Sequence, residues 1–279
     1  MTVPEILIGV PTLNGPDRLA RCLESIRRHT PLEAYKAQVL VSDDFSYREN
    51  LEENRKVCQN FGAELACPAQ VRIGVAQQWN CLTRHAKAPI VILMNDDVEV
   101  VPDWLEALVF SIRENPQAGM VGLKAYQGVT SRNFTPPPVQ SYNEAVMERG
   151  VGMISATGFL FGFERRKWDE VGGFDPHFFA FYEETDFGVS CAYRGMPAFT
   201  LPAPHDNYHI WSATFGSAPE IPAGQIMIDS RNRFVEKWSA ILGVRFQDAP
   251  EIHPLLMDKI APFPVRWLAP GKVKREAIL

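Results

Sequence analysis

The sequence predicts an α/β protein with a mainly parallel central sheet and helices on both faces. Two observations predict it: strand and helix signals alternate from Glu5 to Leu123, and no internal repeat suggests a solenoid or propeller instead. Glu5–Val10 reads as a buried strand ended by Pro11, and Pro16–Arg28 as a helix with Leu19, Cys22, Leu23 and Ile26 at helical spacing. Ala37–Val41 is a second strand, Arg48–Phe61 a polar helix, Gln70–Ile73 a short strand and Val75–Ala86 a helix. Ala88–Met94 is the strongest strand signal in the chain. Pro102 suits the start of a helix running to Glu114, and Gly119–Leu123 returns as a strand.

After Leu123 a Gly/Pro/Asn-rich stretch with Pro136, Pro137 and Pro138 breaks the rhythm and reads as a long loop or lid. A second half follows: Ile154–Phe163 as a strand, Arg165–Val171 as a short helix, a Gly172-Gly173 turn, and a helix over Tyr182–Tyr193 ended by Gly195. Pro197–Leu201 and Tyr208–Trp211 are expected as short strands and Gln225–Trp238 as a last helix. The aromatic and Pro-rich region after Gln225 could pack on the domain or on a second copy, as a homo-oligomer.

Composition narrows the function classes. With 279 residues, 46% hydrophobic and 22% charged, the chain matches an ordinary globular protein, not a disordered one. Its net charge of −5 gives no basic field for a polyanion, so nucleic acid is not the expected partner. Cys22, Cys58, Cys67, Cys81 and Cys191 are odd in number and form no C-x-x-C pair, which favours a reducing, cytoplasmic compartment. The start Met-Thr-Val-Pro-Glu has no signal-peptide pattern, and no apolar run reaches membrane-span length. Lys272, Lys274 and Arg275, near Trp267 and Leu268, could touch the inner face of an anionic membrane peripherally, although so short a cluster is more often a solvated end.

Five groups of residues carry candidate chemistry. Asn95-Asp96-Asp97 follows the strongest strand, where open α/β sheets bind ligands; carboxylates there can hold a divalent cation or simply cap a turn. Asp43-Asp44 ends the second strand on the same edge, and Asp43 could accept hydrogen bonds from a nucleobase or ribose or cap the next helix. The first strand runs into Pro11-Thr12-Leu13-Asn14-Gly15, which is neither G-x-G-x-x-G nor a P-loop and so speaks against dehydrogenases and NTPases. Glu183, Glu184 and Asp186 open a helix after Phe178, Phe179 and Phe181. Apolar walls there can raise a carboxyl pKa toward that of a general base, while the helix dipole alone would also favour acids at this position. His209, beside Trp211, is a candidate metal ligand or a structural histidine.

In order and spacing these pieces resemble glycosyltransferase family 2, the inverting nucleotide-sugar transferases of the GT-A fold, and most of all its rhamnosyltransferase-type branch. Pro11, Thr12 and Asn14 match a P-T-x-N loop, and Asp43-Asp44-Phe45-Ser46 a D-D-G-S turn. Gly74 and Asn80 match N-x-G-x-x-x-x-x-N, with Arg72 where Asn is common, and Asn95-Asp96-Asp97 matches D-x-D with Asn first. Gly172–Asp175, Phe178-Phe179 and Glu183–Asp186 match G-G-F-D, F-F and E-D-x-D, with Glu184 in place of Asp. The resemblance implies a nucleotide-sugar-binding half at 1–123, an acceptor-binding and catalytic half at 124–245 of the same domain, and a C-terminal extension at 246–279.

It implies a UDP-, dTDP- or GDP-sugar donor contacted by Pro11, Thr12, Asn14, Asp43, Arg72, Gly74, Asn80, Asn95 and Asp96, and Mn²⁺ or Mg²⁺ held by Asp97 and His209. Glu184 would be the catalytic base, with Glu183, Asp186 and Trp211 toward a glycan or lipid-linked glycan acceptor. Phe45 in place of Gly implies a differently shaped turn. The alternatives are a non-catalytic carbohydrate- or nucleotide-sugar-binding protein of the same fold, a sugar-phosphate nucleotidyltransferase, and a metal-dependent hydrolase.

Overall fold

The computed structural model describes residues 3–66, 69–127, 141–147, 156–201, 207–210, 213–245, 256 and 264–271. In chain order its first half holds β1 (Ile6–Thr12), α1 (Pro16–His29), β2 (Ala37–Asp43), α2 (Arg48–Phe61), β3 (Glu64–Leu65), α3 (Val75–His85), β4 (Ile90–Met94), β5 (Val98–Glu99), α4 (Trp104–Glu114) and β6 (Met120–Gly122). The rest comprises β7 (Ala125–Gln127), β8 (Ser141–Met147), β9 (Leu160–Glu164), α5 (Arg165–Val171), α6 (Glu183–Tyr193), β10 (Ala198–Thr200), β11 (Asn207–His209), α7 (Ala213–Ser217), α8 (Ala223–Leu242) and β12 (Val265–Gly271).

Every residue of β1 and β4 is buried, as expected of strands covered on both faces. Their side chains alternate between two cores. Ile6, Ile8, Val10, Ile90, Ile92 and Met94 face a layer that includes Leu19, Leu23 and Ile26 of α1 and Trp104, Leu105 and Leu108 of α4. Leu7, Val91 and Leu93 face the other, built from Trp79 and Leu82 of α3, Phe187 of α6 and Phe234 and Trp238 of α8.

The main sheet has the order β10-β6-β9-β4-β1-β2-β3. β4-β1-β2-β3 and β10-β6 pair in parallel, and β9 alone runs antiparallel to both its neighbours. The predicted α/β sheet is therefore present, mixed by a single strand. Through β9 and β10 the second half of the chain builds one sheet with the first.

One expectation is corrected. No strand covers residues 70–73; the edge strand is β3, and the Ile73 and Gly74 N–H groups donate to the Asp44 carboxylate instead of to a ladder. The extension at 246–279 contributes β12, which pairs with β8 along its whole length and seats Val265 and Leu268 in the α4-side core. Asn115 fixes that contact by donating to the Arg266 carbonyl at 2.7 Å and accepting from the Arg266 N–H at 3.0 Å. Among the described residues the aromatic segment after Gln225 packs on this same domain, through Phe234 and Trp238. The proline stretch at 136–138 and the basic cluster at 272–275 lie outside the described residues. No described helix is long and apolar enough to cross a membrane.

Candidate active site

Register brings the loop ends together. Thr12 pairs with Asp43 at the end of β1 and β2, and β4, paired to β1 on its other side, delivers Asn95-Asp96-Asp97 to the same edge. Thr12 Oγ1 donates to Asp96 Oδ2 at 2.7 Å, and the Arg18 guanidinium sits 3.4 Å from both Asp96 oxygens while also donating to the Leu13 carbonyl at 3.0 Å. Burial pushes the Asp96 carboxyl up to about 6, with Arg18 opposing that rise and Asp97 adding to it.

Asp97 is placed by a small second sheet that the sequence did not suggest, β5-β11-β7. Its antiparallel register sets His209 opposite Val98, and the Ile210 N–H donates to the Asp97 carbonyl at 3.0 Å. His209 Nε2 then lies 3.4 Å from Asp97 Oδ1, with the Phe159 ring stacked on the imidazole at 4.3 Å. Asp97 Oδ1 and His209 Nδ1 are buried and make no hydrogen bond among the described residues. A carboxylate oxygen and an imidazole nitrogen this close, with an orphaned buried oxygen between strands, form a donor set that fits Mn²⁺ or Mg²⁺. No third His, Cys, Asp or Glu joins them among the described residues, so remaining positions on an ion would be free for water or ligand oxygens.

Residues 43–46 divide differently from expectation. Asp43 is turned into the protein, accepting from Ser46 N at 2.7 Å, Ser46 Oγ at 2.8 Å and Asn54 Nδ2 at 2.7 Å. It caps the turn and lies off the cavity, whereas its neighbour Asp44 reaches the cavity wall. Phe45 holds φ at +62°, in the left-handed region that glycine adopts freely and a side chain enters at a cost in strain. Gly74, at φ +77°, is required: a Cβ there would meet the Phe179 carbonyl oxygen at 2.3 Å.

The Glu183-Glu184 pair comes from the start of α6. Phe181 and Tyr182 hold φ at +63° and +66°, two successive strained residues secured by Ser230 Oγ donating to the Ala180 carbonyl at 2.7 Å and by Tyr182 packing on Phe234. Glu183 and Glu184 follow. Glu183 is 7% exposed and its Oε2 has no hydrogen-bond partner among the described residues, while Glu184 Oε1 accepts from Thr185 Oγ1 at 3.1 Å. Burial raises both carboxyls above the ordinary glutamate range, and the Glu184 charge raises Glu183 further. Gly158 leaves room for Glu184, since a Cβ at 158 would lie 2.6 Å from its carboxyl carbon.

A carboxyl whose pKa is higher folded than unfolded loses stability as pH rises from its unfolded to its folded value. Glu183→Gln is therefore expected to raise Tm at pH 7 by a few degrees, on the order of 1 kcal/mol, and to leave it unchanged near pH 4. Differential scanning calorimetry at the two pH values checks this; an equal or lower Tm at pH 7 would mean that Glu183 is stabilised as a charge.

These elements enclose one cavity of about 640 Å³. Of the expected site residues it gathers Pro11, Thr12, Gly74, Asn95, Asp96, Asp97, Glu183, Glu184 and His209. Four others support its walls from behind. Asn80 spends its amide on the Phe174 carbonyl and N–H and on Trp168 Nε1, at 2.8, 2.9 and 3.1 Å. Asn14 Oδ1 accepts from the Tyr47 N–H at 2.7 Å, and Arg72 pairs with Glu220 over the Tyr47 ring. Asp186 accepts from Lys237 at 2.7 Å and Trp238 Nε1 at 2.9 Å, tying α6 to α8. These four and Asp43 thus direct polar atoms to protein partners and are not among the residues that line the cavity. Trp211 lies outside the described residues. The sequence reading missed Arg18, whose place at helical spacing in α1 gave no sign of its reach to Asp96.

A family model described as "Glycosyl transferase family 2" matches residues 7–184. No curated protein sequence matches the chain. Among solved structures, the mannosyltransferase PcManGT from Pyrobaculum calidifontis, in complex with GDP-Man and Mn²⁺, is 19% identical with a TM-score of 0.61, covering 92% of this chain and 69% of its own. GalNAc-T7 with UDP, GalNAc and Mn²⁺ is 18% identical with a TM-score of 0.62, covering 75% of this chain and 43% of that one. TarS 1-349 of S. aureus with UDP-GlcNAc is 14% identical with a TM-score of 0.62, covering 91% and 72%. At these identities the likeness shows the GT-A fold.

Proposed function

The chain belongs to glycosyl transferase family 2, and from that premise we propose that it is a metal-dependent, inverting glycosyltransferase. It moves a sugar from a nucleotide-diphospho-sugar to a hydroxyl of a glycan or glycoconjugate, in surface-polysaccharide synthesis of the bacterial type. The observation that carries the reading is that one cavity is lined both by Asp97 with His209 and by Glu183-Glu184. Such a lining offers one set of groups to the leaving group and another to the nucleophile.

Asp97 and His209 would hold Mn²⁺ or Mg²⁺, which when bound supplies positive charge for the departing diphosphate. Asp96, fixed by Thr12 and Arg18, orients the donor beside them. Glu184 accepts the proton of the acceptor hydroxyl. That oxygen bonds to the anomeric carbon as the carbon–diphosphate bond breaks on the opposite face, and the configuration inverts. The ligands named with the fold neighbours, GDP-Man and UDP-GlcNAc, support a nucleotide-diphospho-sugar as the donor class, within which UDP-, dTDP- and GDP-sugars are the candidates.

The test is transfer from a donor panel in the presence of Mn²⁺, with the anomeric configuration of the product read by NMR. A β-linked product from an α-linked donor is expected, and retention or release of free sugar alone would reject the reading. Glu184 must be deprotonated to act, and burial raises its pKa above the ordinary 4.5. The acid limb of the kcat profile is therefore expected above that value, falling tenfold per pH unit below its midpoint. A kcat flat down to pH 4.5 would remove Glu184 as the base.

A further inference from the structure

The cavity carries a feature that the transferase chemistry does not use. Beside Glu183-Glu184 stands an all-apolar wall: Phe181 stacks on Phe215 at 5.2 Å and 9°, and Ile221 and Met227 extend it. Phe215 and Ile221 rest on a small cluster with Leu13 and Ala218, so the wall is built, and Met227 at its lip remains 48% exposed. The strained backbone at Phe181 is what turns that ring to the wall within three residues of the base. The same cavity is lined by Asp44, Asp96, Asp97, Glu183 and Glu184, and no Lys or Arg lines it among the described residues.

Two consequences follow for an occupant of this corner. An anionic group near Glu183-Glu184 would meet like charge in a desolvated space, which is costly. Sugar hydroxyls directed at the wall would be left without hydrogen-bond partners, whereas an aryl or alkyl group has none to lose by burial there. Resting on the transferase reading, the geometry points to an uncharged acceptor glycoside with an apolar aglycone, the aglycone on the Phe181–Phe215 wall and a free sugar hydroxyl at Glu184.

Binding to the 279-residue chain tests this without knowledge of the donor. Phenyl glycosides of glucose, galactose, mannose and rhamnose are titrated by calorimetry against the parent free sugars and against phenyl glucuronide. At least one phenyl glycoside is expected to bind about tenfold tighter than its parent sugar and than the glucuronide, and Phe215→Ala is expected to erase that advantage. The inference is overturned if no phenyl glycoside gains over its parent sugar, if the glucuronide binds equally well, or if a folded Phe215→Ala variant keeps the preference. The comparison among ligands stands on the wild-type protein alone should that variant fail to fold. UDP and GDP titrated separately with Mn²⁺ report on the transferase reading, so failure there is distinct from failure of the acceptor preference.

Discussion

Glu184→Gln is expected to lower sugar transfer by about 10²- to 10⁴-fold, the usual contribution of a positioned general base, with nucleotide affinity unchanged. The substitution keeps shape and volume and removes only the proton-accepting charge. Glu184 lies at the first turn of α6, on a different element from His209 of β11 and from Asp97, which follows β4. Loss of rate without loss of binding is thus the signature to look for, measured as kcat beside a calorimetric Kd for the nucleoside diphosphate. Transfer at the wild-type rate would show that another group takes the proton, and Glu183, its buried neighbour, would be the first to examine. Glu184→Asp, which shortens the reach by one methylene, should recover part of the rate if the role is chemical.

Asp97→Ala is expected to lower transfer by about 10³-fold, several kcal/mol of charge stabilisation being lost with the cation. Unlike the base variant it should also weaken nucleotide binding, and only the part of binding that depends on Mn²⁺. The carboxylate oxygen concerned is buried without a hydrogen bond among the described residues and lies 3.4 Å from His209 Nε2, so little else in the fold depends on it. Equal nucleotide affinity in the presence and absence of Mn²⁺, in both wild type and variant, would separate Asp97 from any metal.

The sheet was legible because strands buried on both faces must be apolar along their length, as Ile6–Val10 and Ile90–Met94 are, and because each is followed by a helical period. The acids at strand ends were legible as candidates, but not their orientation. Asp43 and Asp44 are equivalent as letters, and only the three donors around Asp43 decide that it is Asp44 that reaches the cavity. Asn14, Arg72, Asn80 and Asp186 show the same limit, because a polar side chain next to a site can serve the ligand or the wall, and its partners come from distant segments. Glu220, Tyr47, Trp168 and Lys237 are such partners. Pairing between short elements was not legible: a strand was expected at Tyr208–Trp211, close to β11, but the two-residue β5 has no periodicity to read, and it is their pairing that places His209 beside Asp97.

The central claim is a cation-dependent site for a nucleoside diphosphate at Asp97 and His209. It is tested most directly by isothermal titration of UDP, dTDP and GDP into the protein with Mn²⁺ and again with EDTA. One of the three is expected to bind at a single saturable site with Mn²⁺ and to lose that binding in EDTA and in Asp97→Ala. Binding of none of them with Mn²⁺, or binding of equal strength in EDTA, would contradict the account.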